Sequence, residues 1–460
     1  MTPPNLGRVH LATAVATTRF TPPQIRTTIL LLAGSVALMM TGFGIIMPVF
    51  ARRLAAFGDG VAALGIMTTA FALAQLLAAP ILGSLADRHG RRPFVLLALG
   101  AFILANVGYL LADSTAAFIA VRAAGGAFTA GLFPAAMGVV ADTVPESQRA
   151  RWIGVVMAGY GAGFVFGPVL GGVLYDAYGF AMPFAASGVM AAIAFVAALI
   201  LVPETRPPAV RRREALRRRR ETAVSAAAEP SLWQALPRPL GLFGTLLFLD
   251  FVGAFAFAFV EPQMVFYLYD TLNWSTAQFG IVVGVYGLAM MLGQLFLGQA
   301  SDRFGRRPVI LLGQTLNLAL YAMLAFLRAY PLILLGALVA GLGAALTAPA
   351  ISALYLDITA ARYRSRVIGL KESALALGGV LGPLLVVVVS RLTTPRGVFV
   401  IAGLVVLASI GLALLFLRPA ARRADGVQTA VTPHPERSAA AAATLRRLVW
   451  QATRARGLEP

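Results

Sequence analysis

Apolar runs of roughly twenty or more residues recur twelve times along this chain. They lie at 27–50, 61–85, 93–112, 115–141, 151–174, 180–202, 240–268, 276–300, 308–327, 330–356, 365–390 and 397–417. Each is long enough to cross a hydrocarbon core of ~30 Å as a helix, whereas a membrane strand needs only about ten alternating residues. The pattern predicts an all-α membrane protein with twelve transmembrane helices. A water-soluble enzyme is excluded, because 59% of the residues are hydrophobic and 12% charged, against about 25% charged in a soluble domain. The first run is too long for a signal-peptide core and is expected to stay in the mature protein.

The residue types present narrow the chemistry further. There is no cysteine, and His10, His89 and His434 all lie outside the apolar runs. Thiolate metal sites and a buried imidazole relay therefore lack their residues, and no metal or cofactor is expected. The net charge of +19 sorts by membrane side rather than pointing to nucleic acid. An even number of spans puts both termini on one side. If that side is cytoplasmic, 31 of the 38 basic residues fall inside and five outside: Arg52, Arg53, Arg328, Arg391 and Arg396. The positive-inside rule thus places both termini in the cytoplasm, with Arg52 and Arg53 against the trend. The expected divisions are a leader at 1–26, a six-helix bundle at 27–202, a basic linker at 203–239, a second six-helix bundle at 240–418 and a tail at 419–460. The linker arginines read as a solvated stretch held near anionic headgroups.

The two bundles superpose in sequence. At a shift of 215 residues without a gap, Gly83 matches Gly298, Asp87 Asp302, Arg88 Arg303, Gly90 Gly305, Arg91 Arg306 and Arg92 Arg307. The register continues through Gly126 and Gly341, Asp142 and Asp357, Gly163 and Gly378, and Gly167-Pro168 and Gly382-Pro383. The chain therefore reads as two parallel six-helix pseudo-repeats, with a substrate path expected at their interface.

The stretch Gly83-Ser-Leu-Ala-Asp-Arg-His-Gly-Arg-Arg-Pro93, its copy at Gly298–Pro308 and the segment Gly42–Pro48 resemble signature sequences of the major facilitator superfamily, in its twelve-span drug:proton antiporter group. In both loops a glycine suits the tight turn at Gly90 and Gly305, and an acid stands beside arginines. The resemblance implies inner-gate latches that hold the outward-facing state, made of Asp87 with Arg88, Arg91 and Arg92, and of Asp302 with Arg303, Arg306 and Arg307. Span 5 carries Gly163, Gly167 and Gly171 every four residues, a smooth stripe for close helix packing, with a bend expected at Pro168 and a further glycine at Gly172. It is similar to the family's antiporter motif and implies export. The acids of tetracycline-type exporters in spans 1 and 3 are replaced here by Met39 and Gly108.

The charged residues within spans are few. Arg122 lies about two turns into span 4 and is expected to face the interior, where it tunes a carboxylate or the substrate's charge. Asp250 and Glu261, eleven residues apart in span 7, share one helical face with Ala254 and Phe257. They are the expected proton carriers, with Arg122 and Glu372 as further coupling candidates. Glu372, beside Lys371, reads equally as half of a structural pair. Phe43, Phe251, Phe257, Tyr286 and Tyr355 are candidates for an adaptable aromatic cavity wall, and Phe248, Phe255 and Phe259 could join it or face lipid.

Together these features predict a monomeric exporter in the cytoplasmic membrane that exchanges protons for lipophilic small molecules by alternating access. Its partners are the substrate, protons and membrane lipids, and the proton gradient stands where a cofactor would. A lipid or glycolipid exporter or flippase, an uptake transporter and a non-transporting sensor are the rival readings.

Overall fold

The computed structural model describes residues 22–205, 236–360 and 363–417. Most of the leader, the linker arginines from Arg206 to Arg220 and the tail lie outside these residues. Twelve helices among them are long and apolar enough to cross a membrane. They are α1 (Pro22–Ala56), α2 (Val61–His89), α3 (Arg92–Leu111), α4 (Thr115–Thr129, resuming as Leu132–Thr143), α5 (Glu146–Tyr178) and α6 (Ala181–Leu201). The second set is α7 (Leu240–Phe266, prolonged by a π-helical turn at Tyr267–Thr271), α8 (Thr276–Leu297), α9 (Arg306–Phe326), α10 (Tyr330–Ile358), α11 (Arg364–Leu392) and α12 (Pro395–Phe416). A short helical segment, Ala300–Phe304, precedes α9.

Helices are what this sequence allows in lipid, because each satisfies its own backbone N–H and C=O groups. Their ends are set locally. Ser114, Ser275 and Thr394 accept the first-turn N–H groups of Ala117, Gln278 and Gly397 and so cap α4, α8 and α12. Gly90 and Gly305 turn the chain at φ of 109° and 89°, which favours glycine. Within α4, Pro134 has no N–H to offer the carbonyl four residues earlier, and the helix divides there.

The duplication governs the packing. In the first half α1 packs on α5 and α6, α2 on α4, and α3 on α4 and α6. In the second half α7 packs on α11 and α12, α8 on α10, and α9 on α10 and α12. The pairing repeats atom by atom in places: Arg92 Nη2 donates to the Leu199 carbonyl, and 215 residues on Arg307 Nη2 donates to that of Leu414. Large apolar side chains such as Leu111, Leu295, Phe296, Phe326 and Leu392 stand exposed on the outer surface, a costly surface in water and an ordinary one against acyl chains.

The bundle has a near end, where α1 starts and α12 stops, and a far end, where α1 stops and α12 starts. The halves meet chiefly through α5 with α8 and α2 with α11. A β-carbon placed on Gly65 would lie 2.8 Å from the Pro383 carbonyl, one on Gly284 2.7 Å from Val169 Cγ2, and one on Gly172 would overlap the Thr276 backbone. These approaches lie in the far half of the bundle. The halves are therefore joined at the far end.

Candidate functional site

The helix-5 glycines build the scaffold. Gly163, Gly167 and Gly171 lie against the backbone of α1, where a β-carbon would run into Thr41 N, Thr41 O and the Ile45 carbonyl respectively. Gly378 and Gly382 of α11 take the same position against Phe251, Phe255 and Phe259 of α7. Gly172 turns away from this seam to meet the start of α8 across the halves. Pro168 lies within α5 without ending it.

Arg122 of α4 is 8% exposed. Its guanidinium carbon sits 4.7 Å from the ring centre of Phe43, 4.8 Å from Phe50 and 3.9 Å from Phe71. Three π-faces partly replace the water a buried guanidinium gives up. Tyr109 lies within electrostatic reach of it, and Nε keeps no hydrogen-bond partner. The carboxylate of Glu261, on α7 of the other half, lies within electrostatic reach of Arg122. The two side chains belong to opposite halves and are coupled electrostatically, without a direct ion pair.

Asp250 forms a separate cluster within the second half. It is 8% exposed, and its Oδ2 has no hydrogen-bond partner. The Tyr355 hydroxyl of α10 lies beside it without closing a bond, and Lys371 and Glu372 of α11 are within electrostatic range. Lys371 Nζ stands 3.7 Å from Glu372 Oε1, with Glu372 itself largely exposed. Asp250 and Glu261 share a helix but about 16 Å of rise separates them, and each has its own surroundings. A buried carboxylate with a free oxygen is a group that can bind a proton or a cationic substrate.

The aromatic candidates divide. Phe43 lies against Phe71 at 5.6 Å, the rings tilted by 39°, in the Arg122 cage. Phe257 stacks on Tyr286 at 6.0 Å and joins α7 to α8. Phe248, Phe251, Phe255 and Phe259 form a ladder along α7, and its deeper members, Phe255 and Phe259, are packed into the seam with α11. Tyr355 is 1% exposed, against Phe243 and Asp250. An apolar cleft of about 250 Å³ between α3 and α4, lined by Leu104, Val121, Gly125 and Phe128 among others, opens away from these charges.

At the near end Arg91 bonds Asp87 at 2.5 Å and Asp142 of α4 at 3.3 Å. The copy repeats this with Arg306, Asp302 at 2.5 Å and Asp357 of α10 at 3.1 Å. Glu204 adds a brace to the first copy by accepting from the backbone N–H of Arg91 and Arg92. Arg88 and Arg303 are exposed. A methyl at Gly83 would meet Pro134 at an ordinary 3.6 Å. Sequence reasoning had matched Asp142 to Asp357 without giving them a role, and their preservation at the fixed offset was the available signal. Glu204 has no such counterpart and no local signal.

A family model for the Major Facilitator Superfamily matches residues 32–266 and again 246–457. The chain is 29% identical over 370 residues to the class C tetracycline resistance protein of Escherichia coli, covering 78% of this chain and 88% of that protein. It is 24% identical over 352 residues to the quinolone resistance protein NorA of Staphylococcus aureus, covering 76% and 87%. Among solved structures, a bacterial homolog of the human lysosomal transporter Spinster superposes with a TM-score of 0.68 at 17% identity, covering 87% of this chain and 98% of that one. With a duplicated twelve-helix bundle and a family model that matches each half in turn, the chain belongs to the major facilitator superfamily and is a membrane transporter rather than an enzyme.

Proposed function

We propose that this protein exports lipophilic small molecules across the cytoplasmic membrane in exchange for protons, by alternating access. The observation that carries the reading is the placement of Arg122, a caged guanidinium of one half, within electrostatic reach of Glu261, a carboxylate of the other, inside a membrane bundle. Such a pair is sensitive to both the separation of the halves and the protonation of the acid, so it can link the two. Asp250, with Lys371 and Glu372 nearer the near end, is a second group able to carry a proton. The excess of basic residues on the side of the termini supports a cytoplasmic near end. The Arg91 and Arg306 clusters then lie where an inner gate must open and close, and the far-end closure makes this an inward-facing arrangement. The relatives' names, for tetracycline and quinolone resistance, support a drug-like substrate. The Phe257–Tyr286 stack and the tilted Phe43–Phe71 pair offer planar apolar compounds aromatic faces.

Everted membrane vesicles acidified inside provide the test. Adding tetraphenylphosphonium or ethidium is expected to release protons from vesicles carrying the protein and not from vesicles lacking it. Asp87→Asn is expected to slow that release by about tenfold, the effect of losing its charge-assisted contact with Arg91, and Asp250→Asn to slow it by a similar factor through loss of a proton-binding carboxylate. Full-rate release in both variants contradicts the roles given to the two acids, and no drug-dependent release in the wild type contradicts proton-coupled drug export.

A further inference from the structure

The far end holds charged side chains that neither the gate loops nor the central acids account for. Arg52, near the end of α1, donates from Nη2 to the Trp274 carbonyl at 2.9 Å and lies 3.9 Å over the Tyr269 ring. The Tyr269 hydroxyl donates back to the Pro48 carbonyl of α1 at 2.8 Å. Asp176, at the end of α5, accepts from the backbone N–H of Thr276 at 3.2 Å and of Ala277 at 2.8 Å. Those are first-turn donors of α8, left without a partner inside their own helix, and the helix dipole adds to their attraction for a carboxylate. Each of these contacts runs from the first half to the second.

The duplication tells whether they are inherited or added. α2 begins at Val61 and α8 at Thr276, the same 215-residue offset, so the two helix starts are counterparts. The residue matching Asp176 is Arg391, which cannot accept a hydrogen bond, and no side chain caps the start of α2. The residue matching Arg52 is Tyr267. Both interactions are therefore departures from the repeat. The neighbour Arg53 does something different: it donates to the Ala112 carbonyl at 3.1 Å and lies 4.5 Å and 4.2 Å from the rings of Phe57 and Phe180, all within the first half. The arginine pair that runs against the charge rule thus divides into an internal staple and a bridge between halves.

We propose that Arg52 and Asp176 form a far-end latch that holds the arrangement seen here, and that its release is the step exposing the central site to the far side. Both are positioning residues, acting through the relative placement of the halves. The idea rests on the alternating-access reading, and the two can fail separately.

The absence of native cysteine makes a distance measurement direct. Asp113→Cys, between α3 and α4, and Arg328→Cys, between α9 and α10, are exposed far-end positions in opposite halves. With spin labels there and the protein in nanodiscs, electron–electron double resonance reads the far-end separation. In the otherwise unaltered chain a short distance should dominate. Asp176→Ala and, independently, Arg52→Gln should each raise the ratio of long to short distances by about tenfold, as expected for loss of a charge-assisted bond. Asp176→Asn, nearly the same shape with one acceptor oxygen left, should fall between, and it serves if the alanine variant does not fold. Helix content and elution volume should not change. A distribution unchanged in both the Asp176 and Arg52 variants overturns the latch. A distribution in the unaltered chain that responds to neither tetraphenylphosphonium nor pH counts instead against alternating access.

Discussion

Glu261→Gln is expected to abolish drug-dependent proton release, lowering it by a hundredfold or more, because the variant has no group at that position able to carry the proton. The glutamine keeps the shape and hydrogen-bonding reach of the side chain but holds no exchangeable charge. It leaves Arg122, caged by Phe43, Phe50 and Phe71, without the carboxylate across the interface. Two readouts separate coupling from binding: drug-driven proton release in everted vesicles, and tetraphenylphosphonium binding to purified protein. Proton release should vanish while binding of the cation weakens by less. Normal proton release from Glu261→Gln contradicts the assignment of Glu261 as a carrier.

The second large effect is structural. Gly171→Leu is expected to lower the stability of the first half by about 3 kcal/mol or more, the upper range of overpacking costs. A β-carbon there collides with the carbonyl and Cα of Ile45, which are backbone atoms and cannot rotate away. Helices 1 and 5 must then separate along the seam that Gly163 and Gly167 continue. Gly161→Leu on the same helix is the control, since nothing lies within 4 Å of its β-carbon position. Thermal unfolding in detergent should show a midpoint lowered by at least about 5 °C for Gly171→Leu and little change for Gly161→Leu. Equal shifts in the two variants contradict the account of the glycine stripe as a backbone-to-backbone seam.

The sequence carried most of the fold because its determinants are local or repeated. Apolar runs set the spans. The fixed offset of 215 residues joined Asp87, Arg91 and Asp142 to Asp302, Arg306 and Asp357 before any contact was known. Depth within a span marked Arg122, Asp250 and Glu261, because a charge there needs a partner. The partners themselves were not legible. Helical periodicity put Asp250 and Glu261 on one face, and the neighbouring helices gave one of them Tyr355 and Lys371 and the other Arg122. The α7 phenylalanines were ambiguous for the same reason: only the smooth face of α11, at Gly378 and Gly382, decides that Phe255 and Phe259 pack there. Arg52 with Trp274, and Asp176 with Thr276, are far apart in the chain and fall outside the repeat, so neither periodicity nor duplication announces them.

The central claim is that the two halves must separate at the far end for transport to occur. Val169→Cys with Gly284→Cys tests it, because a β-carbon at Gly284 already lies 2.7 Å from Val169 Cγ2, an atom the substitution removes, and no native cysteine competes. Once oxidised, the pair ties α5 to α8 across the halves. Drug-dependent proton release in everted vesicles should fall to background after oxidation and return when a reductant opens the disulfide. Undiminished release from fully cross-linked protein contradicts the account.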